Sequence, residues 1–134
     1  MAAAKAKRGG EASDAGDYWR DLREQRLAFF ADGRPLWRVS VPQACEPLAL
    51  SSPPLVEWGG GLRWLSGEVD PLAVRSTAER VGGHATLVRA PASVRAAVPV
   101  FEPLAGPLAA LTLRVKQAFD PARILNRGRM YADL

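Results

Sequence analysis

The amino-acid sequence predicts an α+β domain of two layers, in which a mainly antiparallel sheet of about four strands has helices packed on one face. Segments with helical spacing of apolar residues alternate with short runs rich in β-branched and aromatic residues. A glycine-rich turn joins two of those runs directly, as in a hairpin. The chain has 134 residues, of which 48% are hydrophobic. That is enough for one domain with a core of its own.

Three helices are predicted from apolar spacing and end signals. The first begins at Asp17 as N-cap and ends at Asp32-Gly33. The second follows Asp70-Pro71 and ends at Gly82-Gly83, because proline suits a first helical position and glycine suits the residue after the last one. The third runs from Pro107 to Phe119, since the residue before Pro121 is pushed out of the α region. Its apolar stripe consists of Leu108, Leu111, Val115 and Phe119.

Strands are predicted at residues 36–41 and 84–89 and in a hairpin around Gly59, Gly60 and Gly61. A three-residue loop sets Glu57 opposite Arg63, whereas a two-residue loop sets it opposite Leu62 and mixes the two faces. We therefore expect the three-residue register. The proline-rich segments 42–54 and 90–106 are predicted to be irregular, and some parallel strand pairing stays open.

The charge pattern does not favour nucleic-acid binding. The net charge is +4, but Lys5, Lys7 and Arg8 lie in residues 1–16, which we predict to be a disordered basic tail. The remaining basic residues do not form a face with stacking aromatics. No run approaches the roughly 20 apolar residues of a membrane span. A single cysteine, Cys45, indicates a reducing, cytoplasmic compartment.

The sequence contains no self-sufficient active site. With one histidine, His84, a histidine-based metal cluster or a Ser-His-Asp triad is close to excluded, so no metal is predicted. The three glycines at 59–61 precede a strand rather than a helix, so they do not form a phosphate-binding fingerprint. Glu57 and Arg63 are predicted to be a cross-strand ion pair.

The C-terminal part of the chain carries the most specific pattern. It comprises Lys116, Phe119-Asp120-Pro121, Ile124-Leu125-Asn126 and Gly128-Arg129. This pattern resembles the C-terminal signature of FAD-linked oxidases of the vanillyl-alcohol-oxidase type. Arg127 stands where that family usually has proline, which leaves the rigidity of the loop open.

Further stretches, in the same order, resemble the FAD-binding subunits of bacterial glycolate oxidases. They are Tyr18-Trp19-Arg20-Asp21-Leu22-Arg23-Glu24, Phe29-Phe30, Leu36-Trp37-Arg38-Val39-Ser40-Val41-Pro42, Glu57-Trp58-Gly59-Gly60, Gly82-Gly83-His84-Ala85-Thr86-Leu87-Val88-Arg89 and Tyr131-Ala132-Asp133-Leu134. The resemblance implies that residues 17–134 are the C-terminal substrate (cap) domain, with a ferredoxin-like fold. The N-terminal FAD-binding domain has no counterpart here.

The resemblance also implies a function. Such a subunit uses FAD to oxidise glycolate, a 2-hydroxy acid, to glyoxylate, together with a second flavoprotein subunit and an iron–sulfur subunit. FAD would be held by the missing N-terminal domain, so we expect no activity from this chain alone. It would lie in the cytoplasm, or at the inner membrane through the complex. The alternative is a non-catalytic α+β interaction module or the remnant of a truncated gene.

Within that resemblance, particular residues suit the chemistry. His84 is the candidate base for the substrate hydroxyl, and Arg89 and Arg38 are candidates to bind the carboxylate. Asn126 and Arg129 match the loop that approaches the flavin. The structural alternatives are a histidine bonded to its neighbours at a strand start, and arginines in solvent or in ion pairs. We also expect an exposed apolar patch near Trp37, Trp58 or Trp64.

Overall fold

The structure is a computed structural model that describes residues 16–131. The chain divides into two compact units, residues 1–32 and residues 33–134. The predicted basic tail lies outside the described residues except for Gly16, and so do positions 132–134 of the resemblance. Within residues 16–131, every helix is too short or too polar to cross a membrane.

The first unit contains a short helix and a separate helical turn. Helix α1 spans Gly16–Arg23, and a 3-10 turn spans Ala28–Phe30. Between them Gln25 adopts a left-handed conformation with φ of 55°. The prediction of one continuous helix to residue 32 was therefore wrong, because a single left-handed residue breaks the helical hydrogen-bond ladder. Leu22 and Phe30 are buried.

The second unit is built on a four-stranded sheet. Its strands are β1 (Leu36–Ser40), β2 (Leu55–Glu57), β3 (Leu62–Ser66) and β4 (His84–Arg89), in the order β2-β3-β1-β4. All three strand pairs are antiparallel, which settles the pairing that the sequence left open. Strands β3 and β4 thus run in the same direction with β1 between them, and helix α2 (Pro71–Arg80) connects them in a split βαβ unit. The predicted α+β fold class is confirmed.

The hydrophobic core lies between one face of this sheet and helix α2. Strand residues that alternate along β1 and its neighbours contribute Trp37, Val39, Leu65, Ala85 and Leu87. Helix α2 contributes Val74 and Ala78, four residues apart and therefore on one side of the helix. Full burial of a side chain such as Leu65 stabilises the fold by about 1.5–3 kcal/mol.

Helix α2 begins and ends as the sequence predicts. The Asp70 carboxylate accepts a hydrogen bond of 3.0 Å from the Leu72 amide. At the other end, the Gly82 amide donates to the Glu79 carbonyl and the Gly83 amide donates to the Ala78 carbonyl. These two bonds form a Schellman motif, which requires the positive φ of 76° at Gly82.

The hairpin has the register that we did not expect. Glu57 lies opposite Leu62, and Val56 lies opposite Arg63. The reason is that Trp58 leaves the strand with φ of 53° and joins a 3-10 turn over Trp58–Gly60. In this register the Glu57 carboxylate accepts a 2.5 Å hydrogen bond from the Trp64 indole, instead of forming the predicted ion pair with Arg63.

Segment 90–106 is more ordered than predicted. It contains helix α3 (Ala92–Ala97), which alanine favours and which begins directly after Pro91. The chain then runs along the outer edge of β4, where the Leu87 amide donates to the Val100 carbonyl at 3.0 Å. The Glu102 carboxylate accepts from the Ala85 amide at 3.0 Å. This segment therefore covers a sheet edge that would otherwise be open.

Helix α4 spans Gly106–Phe119, close to the predicted range, but it has no buried residue. Its apolar stripe, defined as Leu108, Leu111, Val115 and Phe119, is exposed by between 51% and 84%. Of the three tryptophans near which an apolar patch is expected, Trp58 is exposed, whereas Trp37 and Trp64 are buried. Trp37 faces the core, and Trp64 is bonded to Glu57.

Candidate functional site

The register of the sheet puts three of the predicted site residues on one face. On β1, Arg38 shares its face with Leu36 and Ser40, since alternate strand residues point the same way. His84 lies opposite Ser40, and Arg89 lies opposite Leu36. We call this surface the Arg38 face. It is the side of the sheet opposite the core formed with helix α2.

A bulge in β4 is needed for this arrangement. The pairing shifts by one residue between Leu36 and Trp37, so Leu36 pairs with Arg89 while Trp37 pairs with Leu87. Without the extra residue, strict alternation would put Arg89 on the opposite face from His84. The bulge in β4 therefore puts Arg89 on the Arg38 face, opposite Leu36.

Gly83 holds the start of β4 close to β1. A Cβ atom at this position would lie 2.3 Å from the Ser40 carbonyl oxygen and 2.7 Å from a methyl group of Val41. Only glycine permits the two backbones to approach this closely. Together with the Schellman motif at the end of α2, this contact sets His84 directly beside Ser40.

The three residues are unequally spaced along the sheet. His84 is opposite Ser40, two residues from Arg38, or about 7 Å along the strand. Arg89 is five residues from His84 along β4, or about 16 Å. Arg38 and His84 are both exposed, and Arg89 is half-buried. A small ligand that touches His84 is therefore within easier reach of Arg38 than of Arg89.

The neighbourhood of Arg38 also contains polar and aromatic groups. Arg38 is flanked by Trp64 on β3 and by Thr86 on β4. Trp64 is buried, and its indole nitrogen is engaged by Glu57. Guanidinium groups bind carboxylates through paired hydrogen bonds, and an imidazole accepts and returns a proton near neutral pH. The Arg38 face therefore presents a guanidinium and an imidazole to solvent on neighbouring strands.

The C-terminal loop, residues 120–131, is organised by Asp120. Its carboxylate accepts hydrogen bonds from Lys116 Nζ at 2.6 Å, from the Ile124 amide at 3.0 Å and from the Leu125 amide at 2.9 Å. Lys116 Nζ also donates to the Leu125 carbonyl. The Lys116 hydrogen bond, together with the two backbone amides, lowers the pKa of Asp120 to about 2. Asp120 is thus the anchor of this loop.

Asn126 and Arg129, the predicted flavin-loop residues, are exposed on the C-terminal loop. The Arg129 amide donates to the Asn126 carbonyl at 3.1 Å, and Asn126 has a left-handed φ of 47°. Arg127, which departs from the family pattern, is also exposed. Lys116 and Asp120 are identified from the sequence only as parts of the resemblance, and the contact between their side chains is not predicted. The spacing of four residues at the end of a helix could have indicated this contact.

The glycine turns at 59–61 and 82–83 do not form a phosphate site for a dinucleotide cofactor. A dinucleotide cofactor needs glycine-rich backbone against its phosphates, usually at a helix N-terminus. Here the glycines at 59–61 are packed beside Gln43, and those at 82 and 83 end helix α2. Within residues 16–131, no group of three or more His, Cys, Asp or Glu side chains is arranged to hold a metal ion.

The C-terminal loop contains the residues by which the sequence resembles FAD-linked oxidases. Comparison with curated proteins confirms the resemblance. The chain is 39% identical, over 132 residues and 98% of its length, to the glycolate oxidase subunit GlcE of Escherichia coli strain K12. It spans 36% of that subunit's length. No protein-family model and no solved structure matches the chain.

Proposed function

We propose that this chain is the substrate-binding part of an FAD-dependent oxidase of 2-hydroxy acids and that glycolate is its substrate. The observation that carries this proposal is the 39% identity to a glycolate oxidase subunit over almost the whole chain. The chain corresponds in extent to about a third of that subunit. We infer that it acts together with an FAD-binding domain, which supplies the cofactor.

The Arg38 face supports a role in substrate binding. Oxidation of a 2-hydroxy acid removes a proton from the hydroxyl group, and the hydrogen on the α-carbon leaves with two electrons. We assign the hydroxyl proton to His84 and the carboxylate to Arg38, with Arg89 as a second, more distant cation. The acceptor of the electrons lies outside the described residues, and FAD would supply that chemistry when bound.

The apolar stripe supports a partner domain. Four apolar side chains on one side of helix α4 are at least half exposed. Ile124 and Leu125 of the C-terminal loop are exposed as well, by 75% and 56%. Exposed apolar side chains grouped on one side of a helix mark an interaction site. We propose that the FAD-binding domain covers it and that Asn126 and Arg129 approach the flavin there. Other oxidase subunits are the next candidates for partners.

The proposal is tested by capturing the tagged chain from its own host and assaying the eluate for flavin absorbance and for glycolate-dependent dye reduction. We expect a yellow eluate that reduces dye. Arg38→Gln and His84→Ala should lower dye reduction at least about tenfold, since each removes a contact made during the reaction. The matched control, Arg95→Gln, changes an exposed arginine on helix α3 and should have no effect.

The second candidate function is a non-catalytic interaction module. The exposure of the apolar stripe favours it independently, because a docking surface does not require catalysis. A colourless eluate that contains a partner protein but does not reduce dye would support the module and would contradict the oxidase proposal. Equal dye reduction by Arg38→Gln, His84→Ala and Arg95→Gln would contradict the roles assigned to the Arg38 face.

A further inference from the structure

A cavity of about 650 Å³ lies between helix α4, segment 99–104 and the C-terminal loop. Pockets for small molecules typically have volumes of about 300–1,000 Å³. None of the lining residues belongs to the trio of Arg38, His84 and Arg89. The cavity is therefore separate from the substrate face proposed above.

The wall formed by segment 99–104 is fixed to the sheet unit. The Arg75 guanidinium on helix α2 donates to the Pro99 carbonyl at 2.5 Å and to the Phe101 carbonyl at 3.4 Å. Between them, the Val100 carbonyl accepts from the Leu87 amide. On the cavity side, the Phe101 ring packs against the Tyr131 ring with centroids 6.1 Å apart. Because these contacts hold segment 99–104 in place, ligand binding does not require this wall to reorganise.

The opposite wall leaves room because it carries small side chains. Ala109 and Ala110 line the cavity from helix α4, and Leu113 follows one turn later. A larger residue at either alanine would project into the space. Most of the remaining lining is apolar, including Phe101, Leu104 and Met130. An apolar cavity of this kind excludes the strongly hydrated surface of a small polar metabolite.

The polar side chains in the lining lie on the C-terminal loop. They are the guanidinium of Arg123 and the phenol of Tyr131. Arg123 has a left-handed φ of 52°, and its amide donates to the Asp120 carbonyl at 3.0 Å. A non-glycine residue in this conformation costs free energy and persists where the surroundings impose it, often at ligand sites.

The charge in the lining favours an anion. Among the described residues that line the cavity, the charged side chain is Arg123, a cation. A ligand at this cavity therefore meets an apolar interior and a positively charged border at Arg123.

We propose that this cavity binds an amphipathic monocarboxylate, such as a medium-chain fatty acid. Its carboxylate would contact Arg123 and Tyr131, and its chain would lie against Phe101, Leu113 and Met130. Arginine binds carboxylates through two parallel hydrogen bonds, and the phenol donates a third. The proposal goes beyond the oxidase function, because this ligand is neither the substrate nor the cofactor proposed above.

The chain offers a direct probe of this site. It has two methionines, Met1 and Met130. Met130 lines the cavity, and Met1 lies outside the described residues. Protein labelled with ¹³C in the methionine methyl groups is titrated with decanoate below the concentration at which decanoate forms micelles. We expect a saturable shift of the Met130 signal, identified with Met130→Leu, and no shift of the Met1 signal.

Two variants separate the apolar interior from the charged border. Ala109→Leu fills the cavity and should abolish the saturable shift, while Ala118→Leu, on an exposed position of the same helix, should preserve it. Arg123→Gln should weaken decanoate binding about tenfold and leave binding of the uncharged 1-decanol unchanged. Arg114→Gln is the matched control, since Arg114 does not line the cavity.

Several results would overturn the proposal. They are the absence of a saturable shift, a shift retained in Ala109→Leu, or equal losses in Arg123→Gln and Arg114→Gln. Loss of the shift in Leu111→Ser would assign the ligand to the apolar stripe instead. If Ala109→Leu does not fold, the exposed Arg123 variant decides alone. Because neither flavin nor glycolate is used, failure here is distinct from failure of the proposed function.

Discussion

In the sheet, Arg38 and His84 come together because strands that are distant in sequence pair in one register, whereas the C-terminal loop is held by neighbours only a few residues apart. The sheet encloses a buried core, and helix α4 with its loop exposes most of its apolar side chains. The contrast shows that the sheet stabilises this chain, while the C-terminal region presents a preformed surface. Substitutions in the two regions should therefore have different consequences.

The largest expected difference lies between two leucines. Leu65→Ala creates a cavity in the core and should lower the free energy of unfolding by about 2–5 kcal/mol. Leu111→Ala removes a side chain that is 51% exposed, and it should change stability by no more than about 0.5 kcal/mol. Urea denaturation followed by tryptophan fluorescence measures both. Similar losses in the two variants would contradict the contrast between the regions.

The next effect concerns two adjacent glycines. Gly83→Ala places a Cβ 2.3 Å from the Ser40 carbonyl and should cost about 3 kcal/mol, since backbone must move. Gly82→Ala is the matched control, because a Cβ at this position meets no atom within 4 Å. The positive φ of Gly82 strains an alanine, so this variant should lower the free energy of unfolding by about 1 kcal/mol. Denaturation midpoints of the pair test this. A Gly82 variant as damaged as the Gly83 variant would mean that close strand approach is not the reason for glycine.

Much of this sheet was predictable from local signals. Asp70-Pro71 and Gly82-Gly83 marked both ends of helix α2, and β1 and β4 followed from their composition. The hairpin register was not predictable, because it depends on Trp58 leaving the strand with a positive φ. The bulge that returns Arg89 to the Arg38 face depends on pairing with β1, which no local pattern encodes.

The C-terminal region was predictable in position but not in exposure. The limits of helix α4 follow from Pro107 and from Pro121 after Asp120. Periodicity identifies an apolar stripe, but it does not say whether the domain's own core or another molecule covers it. For the same reason, the sequence did not distinguish the buried Trp37 from the exposed Trp58.

A smaller effect is expected from titration of Asp120. The pKa of this carboxyl is lowered from 3.8 to about 2, chiefly by the Lys116 hydrogen bond. Its contribution to loop stability is therefore complete above pH 3.8 and is lost as pH falls through about 2. We expect the amide signals of Ile124 and Leu125 to stay constant at pH 4 and to move only below about pH 3. A titration midpoint near pH 3.8 would mean that the hydrogen bonds do not stabilise the ionised Asp120 carboxylate.

Asp120→Asn should loosen the same loop at neutral pH. The amide side chain retains one oxygen acceptor but loses the charge that attracts Lys116. Hydrogen exchange of the Ile124 and Leu125 amides should accelerate several-fold, while exchange in β1 stays unchanged. Glu79→Gln, an exposed carboxylate change on helix α2, is the control. If the Ile124 and Leu125 amides exchange at the same rate in both variants, Asp120 does not anchor the loop.

We propose that the two regions serve one oxidase, with the C-terminal surface for docking and the Arg38 face for substrate. The most direct measurement captures two variants from the host and records flavin content and glycolate-dependent dye reduction separately. We predict that Leu111→Ser with Phe119→Ser loses the flavin and therefore the activity. His84→Ala should keep the flavin and lose only the activity. Flavin retained by the double variant, or full activity in His84→Ala, would contradict the account.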